Sequence, residues 1–300
     1  MSDHAHSPIV DEPFPLPRRW GAAEVARLSE AMQQDSLFYW QGPQTETLYD
    51  AFRAIYPLKT VFPCSSGTAS VHLAVAALKF KPGEEIIVPA ITDMGSVLGM
   101  LHQLLVPVFV DIEPRTYNAS PASIRAAITP KTRAILAVHL CGNPCDMDAV
   151  MEIAAEHDLM VIEDCAQAWG TRHGEDYVGL RGDLGCWSFN DYKHLSCGDG
   201  GVVGTNREDL GRHLAKWGDK CYNRITGIRN PDELAYNYRM SEPLSAICTM
   251  DSTTVSCPEA EAFLNDCVQL PFNEAMTTTY IDKVALAIRT VAQRFQQPSA

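Results

Sequence analysis

Leu159-Met160-Val161-Ile162-Glu163-Asp164 is the stretch on which the fold turns. Four apolar residues run without alternation and end in two acids. That is the pattern of a short strand covered on both faces, as in parallel sheets. Asp164 then stands at the carboxyl end of the strand, where ligands sit in open α/β sheets. The upstream chain alternates in the same way. Helices are predicted over 69–80, 97–105 and 146–157, and strands over 85–89, 107–110 and 134–140. Ser120-Pro121 reads as a cap followed by proline at the first helical position, opening a helix to residue 128. Val25, Leu28 and Met32 predict one more helix over 20–32. Short apolar strands separated by helices give an α/β fold, a mainly parallel sheet with helices on both faces.

Downstream, Ser188-Phe189-Asn190-Asp191-Tyr192-Lys193-His194-Leu195-Ser196-Cys197-Gly198-Asp199-Gly200-Gly201 sets one lysine between an aromatic strand end and a glycine-rich turn. A lysine amine and a strand-end carboxylate can hold the two ends of a pyridoxal ring. The amine condenses with the aldehyde, and the carboxylate keeps the ring nitrogen protonated. A third feature, Cys64-Ser65-Ser66-Gly67-Thr68-Ala69-Ser70, directly precedes a predicted helix. Small residues let backbone amides approach an anion, and the helix dipole favours it there. The segment lacks both the Gly-Lys-Ser/Thr ending of a Walker loop and the Gly-x-Gly-x-x-Gly of a dinucleotide site. Each feature alone has an ordinary reading: a capping serine, a solvated lysine, an acid capping the next helix. Their order along the chain is what points to one site.

At 300 residues the chain has room for a large domain and a smaller one. A formal charge of -13 argues against a nucleic-acid partner. Lys220, Arg224, Arg229 and Arg239 nonetheless make a local basic set suited to an anionic substrate. No apolar run reaches membrane-spanning length, and Met1-Ser2-Asp3-His4 does not open a signal peptide, so a cytoplasmic location without a membrane partner is expected. Cys165, Cys186 and Cys248 sit in apolar contexts and fit reduced core thiols. His139, Cys141 and Cys145 supply ligand types for a metal, but no fourth ligand is near. They read as a loop turned by Gly142 and Pro144, with no metal.

Taken together, Ser66-Gly67-Thr68, Glu163-Asp164-Cys165-Ala166-Gln167-Ala168, the Ser188–Lys193 segment with Gly198-Asp199-Gly200-Gly201, and Asn237-Tyr238-Arg239-Met240 resemble the DegT/StrS-type sugar aminotransferases. The likeness runs over residues 18–250. It implies a fold-type I enzyme dependent on pyridoxal 5'-phosphate. Such an enzyme moves an amino group from an amino acid donor to a keto sugar or keto cyclitol, in saccharide or aminoglycoside-type biosynthesis, usually as a homodimer. By motif, the resemblance makes Lys193 the Schiff-base lysine and Asp164 the partner of the pyridine nitrogen, the two catalytic residues. It puts Gln167 against the ring, and Gly67, Thr68 and Ser188 on the phosphate, with Asn237 reaching over from the other chain. Lys220 and Arg239 become candidate substrate contacts. Asp93 stands where the family usually has an aromatic ring over the cofactor, and is read as a further substrate contact. In the deoxygenating branch of the family histidine replaces the lysine, so Lys193 speaks for amino transfer over a dehydrase.

The expected organisation is an arm at 1–18, a cofactor-binding large domain at 19–240 and a shortened small domain at 241–300. Residues 251–257 form a polar bridge, 267–270 a strand, and Ile281, Val284, Ile288, Val291 and Phe295 one face of a last helix. One strand does not make a small-domain sheet. The chain therefore reads as a family member lacking much of its second domain, the alternative being an internally deleted, weakly active or non-catalytic form.

Overall fold

The computed structural model describes residues 20–229 and 233–248, with the helical positions Thr279, Asp282, Lys283 and Leu286. The chain divides into two compact units, Trp20–Gln269 and Met1–Arg19 with Leu270–Ala300; the site lies in the first. The arm at 1–18, the bridge at 251–257, the strand at 267–270 and the apolar helix face from Ile281 to Phe295 lie outside the described residues.

In chain order the elements are α1 (Ala22–Ala31), α2 (Pro43–Ile55), β1 (Thr60–Cys64), α3 (Gly67–Ala77), β2 (Glu85–Pro89), α4 (Gly95–His102), β3 (Val106–Val110), α5 (Pro121–Ala127), β4 (Thr132–Val138), α6 (Met147–His157) and β5 (Met160–Asp164). A small hairpin of β6 (Arg172–His173) and β7 (Asp176–Tyr177) follows, then β8 (Leu184–Ser188), β9 (Gly201–Thr205), α7 (Glu208–Gly218) and α8 (Glu242–Ile247). Seven strands form one sheet in the order β1-β9-β8-β5-β4-β2-β3. β3, β2, β4, β5 and β8 run parallel, and β9 is antiparallel to both of its neighbours. β1 therefore points the same way as the parallel five.

Side chains alternate across the sheet with the period of two that strands impose. Ile86, Val88, Leu136, Ile162 and Cys186 pack under α3, α4 and α7. Ile87, Ile135, Ala137 and Val161 pack against Ile124 of α5 and Val150 and Ile153 of α6. On that same face Trp187 is fully buried, its ring 5.0 Å from Phe52 of α2 and 4.9 Å from Tyr56. Truncating an aromatic packed this way costs about 3–5 kcal/mol, so β8 is firmly seated.

The predicted α/β sheet with both faces covered is the fold observed. Several local expectations shift. The strand expected over 134–140 runs Thr132–Val138, because Leu140–Gly142 closes a 3-10 turn with Cys141 left-handed at φ 53. Ser120 occupies the cap position with Pro121 after it, but its hydroxyl donates to Glu113 Oε1 at 2.8 Å and makes no cap bond. Asp146 does cap its helix, accepting from Ala149 N at 3.1 Å.

Candidate active site

Since five strands and β1 share one direction, Cys64, Pro89, Val138, Asp164 and Ser188 all end at one edge of the sheet, where β9 begins. The turns leaving that edge carry the residues singled out in the sequence. Ser66 caps α3 by accepting from Ala69 N at 3.0 Å, and its carbonyl accepts Ser70 N at 3.0 Å. The N–H groups of Gly67 and Thr68 precede the first intrahelical bond of α3, and such groups are an anion's natural donors. A Cβ on Gly67 would lie 2.6 Å from Ser188 Cβ, so only glycine lets the helix start and the end of β8 approach this closely. A Cβ on Gly95 would meet Thr68 Oγ1 at 2.6 Å. Two helix starts, one hydroxyl at Thr68 and one at Ser188 thus border a small polar cradle.

Asp164 is buried at the end of β5, facing α4. Oδ2 accepts from Ser96 Oγ at 2.7 Å and Oδ1 from Ala166 N at 3.0 Å. Burial pushes its carboxyl above the usual carboxylate range, while Ser96, Ala166 N–H and the charge of Lys193 pull it back. Two hydrogen bonds fill half of what a carboxylate accepts. A buried anion in this condition favours a cationic N–H partner.

Lys193 lies in the β8–β9 loop, half-buried, its N–H donating to Asn190 O at 2.9 Å. Its charge is felt at Asp164, which it pulls downward. Gln167, three residues beyond Asp164, accepts Cys141 N–H on Oε1 at 3.0 Å, which leaves its amide NH2 as the donating end.

The outer candidates fare differently. Asn237 is exposed on a segment bridged to Asp219, and Tyr238 O beside it accepts Ser65 N at 2.8 Å. That segment therefore borders the α3 cradle of its own chain. Arg239 pairs with the fully buried Asp219 at 3.0 Å, as does Arg224 at 2.5 Å, and Tyr39 OH donates to the same carboxylate at 2.8 Å. Burial alone would raise Asp219, but Arg224, Tyr39 and Arg239 hold it below the usual carboxylate range. Arg239 thus clamps Asp219 through Nη1. Lys220 is exposed with a left-handed backbone. Asp93 is exposed and accepts Gly95 N on Oδ1 at 2.7 Å, closing the first turn of α4.

Around the site stand residues to which the sequence analysis gave no role in it. Ser96 and Thr92 carry the hydroxyls behind Asp164, 2.7 Å apart. Trp169 donates to Ser188 O at 2.8 Å and stacks on Phe189, fixing the strand end. Glu163, on the other face of β5, accepts from His139 Nε2 at 3.0 Å and from the N–H groups of Gly179, Arg181 and Gly182 at 2.6–2.8 Å. His139 Nδ1 accepts Cys145 N at 3.0 Å, which puts its proton on Nε2. His139, Glu163 and Cys165 bring ligand atoms within 4.8 Å of one another, yet all four acceptor positions of Glu163 are taken by these donors.

The sequence profile of the DegT/DnrJ/EryC1/StrS aminotransferase family matches residues 19–251. Acidithiobacillus ferrooxidans UDP-N-acetyl-3-dehydro-alpha-D-glucosamine 3-aminotransferase is 42% identical over 61% of this chain and 49% of its own length. A putative L-glutamine:3-amino-2,3-dideoxy-scyllo-inosose aminotransferase of Streptoalloteichus tenebrarius is 36% identical over 79% of this chain and 58% of its own. NtdA of Bacillus subtilis, solved with bound cofactor PMP, superposes with a TM-score of 0.69 at 28% identity, covering 81% of this chain and 53% of that one. The chain spans about half the length of the curated relatives it matches.

Proposed function

We propose, from a chain that belongs to the DegT/DnrJ/EryC1/StrS aminotransferase family, that it binds pyridoxal 5'-phosphate and transfers an amino group from an amino acid to a keto sugar or keto cyclitol. The observation that carries this reading is the union, at one sheet edge, of buried Asp164, the Lys193 charge and the Gly67–Ser188 approach. The residues fit the cofactor. Without Cβ atoms, Gly67 and Gly95 let the starts of α3 and α4 close on Ser188 and Thr68 around the helix N–H groups, and Asp164 has acceptor positions left for a cationic N–H. When bound, the cofactor supplies an electron sink and an aldehyde to which an amine can be joined.

In this reading Gly67 and Thr68 N–H with the Ser188 hydroxyl bind the phosphate. Asp164 holds a proton on the ring nitrogen, and Gln167 offers its NH2 to the ring's phenolic oxygen. Lys193 would be the amine that joins the cofactor's aldehyde with loss of water, and would move protons at the substrate's reacting carbon once freed from it. Asn237 completes the phosphate site of a two-fold partner, in a cytoplasmic homodimer. Among the described residues no helix is long and apolar enough to cross a membrane. Residues 19–240 are the cofactor-binding domain and 241–300 a shortened second one. Relatives that bear sugar and cyclitol names support the acceptor class, and exposed Asp93 and Lys220, with Arg239, are the groups offered to it.

A visible absorbance spectrum tests this. A protein-bound cofactor band that shifts on adding glutamate or glutamine is expected. A band that stays fixed would leave cofactor binding without amino transfer, and no band at all would remove the reading.

A further inference from the structure

Between the end of β2 and the second residue of α4 lie two hydroxyls, and they form a line. Thr92 Oγ1 is 2.7 Å from Ser96 Oγ, and Ser96 Oγ donates to Asp164 Oδ2 at 2.7 Å. A hydroxyl has one proton. Ionised Asp164 has none to give, so the Ser96 proton points to Asp164 and the Ser96 oxygen accepts from Thr92. The geometry points to Thr92 and Ser96 as positioning residues that hold the Asp164 carboxylate, as an anion and in one orientation, for the ring N–H of the cofactor.

Neither hydroxyl is needed to start the helix. Asp93 Oδ1 already takes Gly95 N–H, and Asp93 O takes Ser96 N–H at 3.1 Å. Ser96 is 2% exposed, so no water competes for its proton. Its bond to Oδ2 comes from α4, while the bond to Oδ1 comes from Ala166 in the turn after β5. Two anchors on two different elements fix the carboxylate plane. The titratable groups facing Asp164 are Lys193 from the β8–β9 loop, His139 from the turn after β4, Cys165 directly after β5 and Cys186 on β8. Among the described residues, one donor hydrogen-bonded to it is the backbone N–H of Ala166, and the one side-chain donor is Ser96. Thr92 polarises that donor, since donors in a chain strengthen one another. Hydrogen bonds to an ionised group are the strong ones, worth roughly ten- to a hundredfold in an equilibrium constant.

The role rests on the proposed pairing of Asp164 with the ring nitrogen, and the experiment separates the two. Pyridoxal 5'-phosphate is titrated into the apo form of the 300-residue chain, following fluorescence quenching and the absorption of the bound cofactor from about pH 5 to 9. Ser96→Ala should weaken binding roughly tenfold or more and displace the pH profile of the bound spectrum, while Ser96→Thr should restore both. Thr92→Val should move both readouts in the same direction by less. If Ser96→Ala binds and titrates like the parent, the relay is overturned and the serine is packing. If Ser96→Ala does not fold, Thr92→Val at the half-buried position decides: an unchanged affinity and profile overturn the relay. Asp164→Asn is the control. A changed spectrum there with an unchanged Ser96→Ala removes the relay alone, whereas an unchanged Asp164→Asn removes the ring-nitrogen pairing itself.

Discussion

The two faces of the sheet at the end of β5 carry neighbouring acids with opposite characters. On the α6 face, Glu163 is met by four donors, three of them backbone N–H groups. Burial alone would raise its carboxyl, but His139 and those amides hold it below the usual range. On the α4 face, Asp164 meets two donors, and burial wins. One residue of chain separates a finished structural anion from one that still wants a partner. Burial does not distinguish them, since both are buried. The count of donors does, and it marks the α4 face as the face for a ligand.

The largest effect should come from removing the other charge on that face. Lys193→Ala takes away both the amine and the proton carrier, and turnover should fall by several powers of ten. Borohydride reduction of the parent followed by peptide mass spectrometry should find the pyridoxyl group on the peptide holding Lys193. An adduct on Lys216 or Lys220 would move the ligand away from Asp164 and break the comparison.

Next come the two acids themselves, whose stability signatures should be mirror images. The lowered value of Glu163 means that its contribution is present above the ordinary carboxyl range and lost as pH falls through the folded value. The raised value of Asp164 means the reverse. Its favourable, protonated contribution is lost as pH rises through the folded value, so the ionised group is a cost at neutral pH. Glu163→Gln should therefore destabilise the apo chain at pH 7 by about 3–5 kcal/mol, because buried N–H donors would face an amide NH2. The deficit should shrink in acid. Asp164→Asn should make the apo chain more stable at pH 7, converging with the parent in acid, and should strongly slow the half-reaction with an amino donor. Urea unfolding between pH 4 and 8 measures both. Parallel losses in the two variants would mean that both acids are structural.

How much of this was readable in advance follows from where the signals lie. The β5 run announced its strand, and its terminal acid landed where parallel sheets place ligands. Lys193 and the Ser66–Thr68 turn were legible because strand ends and helix starts converge on one edge. β1 and β9 were not, since Pro63 in one and Gly201 and Gly204 in the other look like turn signals. α7 was missed although Leu210 and Leu214 bury one stripe of it, because Gly211 and Gly218 dilute the helical pattern. The division of labour between Glu163 and Asp164 was latent in the alternation of strand side chains. Ser96 was beyond reach. It lies 68 residues from Asp164, and nothing in the spacing tells a serine inside an apolar helix which carboxylate it will meet. The pairing of Arg239 with Asp219 was hidden for the same reason, as Asp219 sits in a stretch with no motif.

A third carboxylate at the same edge, Asp93, completes the series, and its effect should be the smallest. It is exposed, and the one described hydrogen bond of its side chain is from Gly95 N at 2.7 Å. In water-facing surroundings a capping carboxylate contributes about 1 kcal/mol, helped by the positive end of the helix. Asp93→Ala should thus lower the melting temperature by about 2–4 °C, as expected for a unit of this size, and Asp93→Asn should recover most of it. The cap steadies the turn that carries Ser96, so cofactor affinity should fall only slightly, far less than with Ser96→Ala. Thermal melts and a pyridoxal 5'-phosphate titration on the three proteins provide the measurement. An alanine variant with unchanged melting and affinity but a raised KM for a keto-sugar acceptor would show that the carboxylate meets the substrate and that Gly95 N–H is an incidental contact. Three acids would then divide by what they face: Glu163 the fold, Asp164 the cofactor and Asp93 the acceptor.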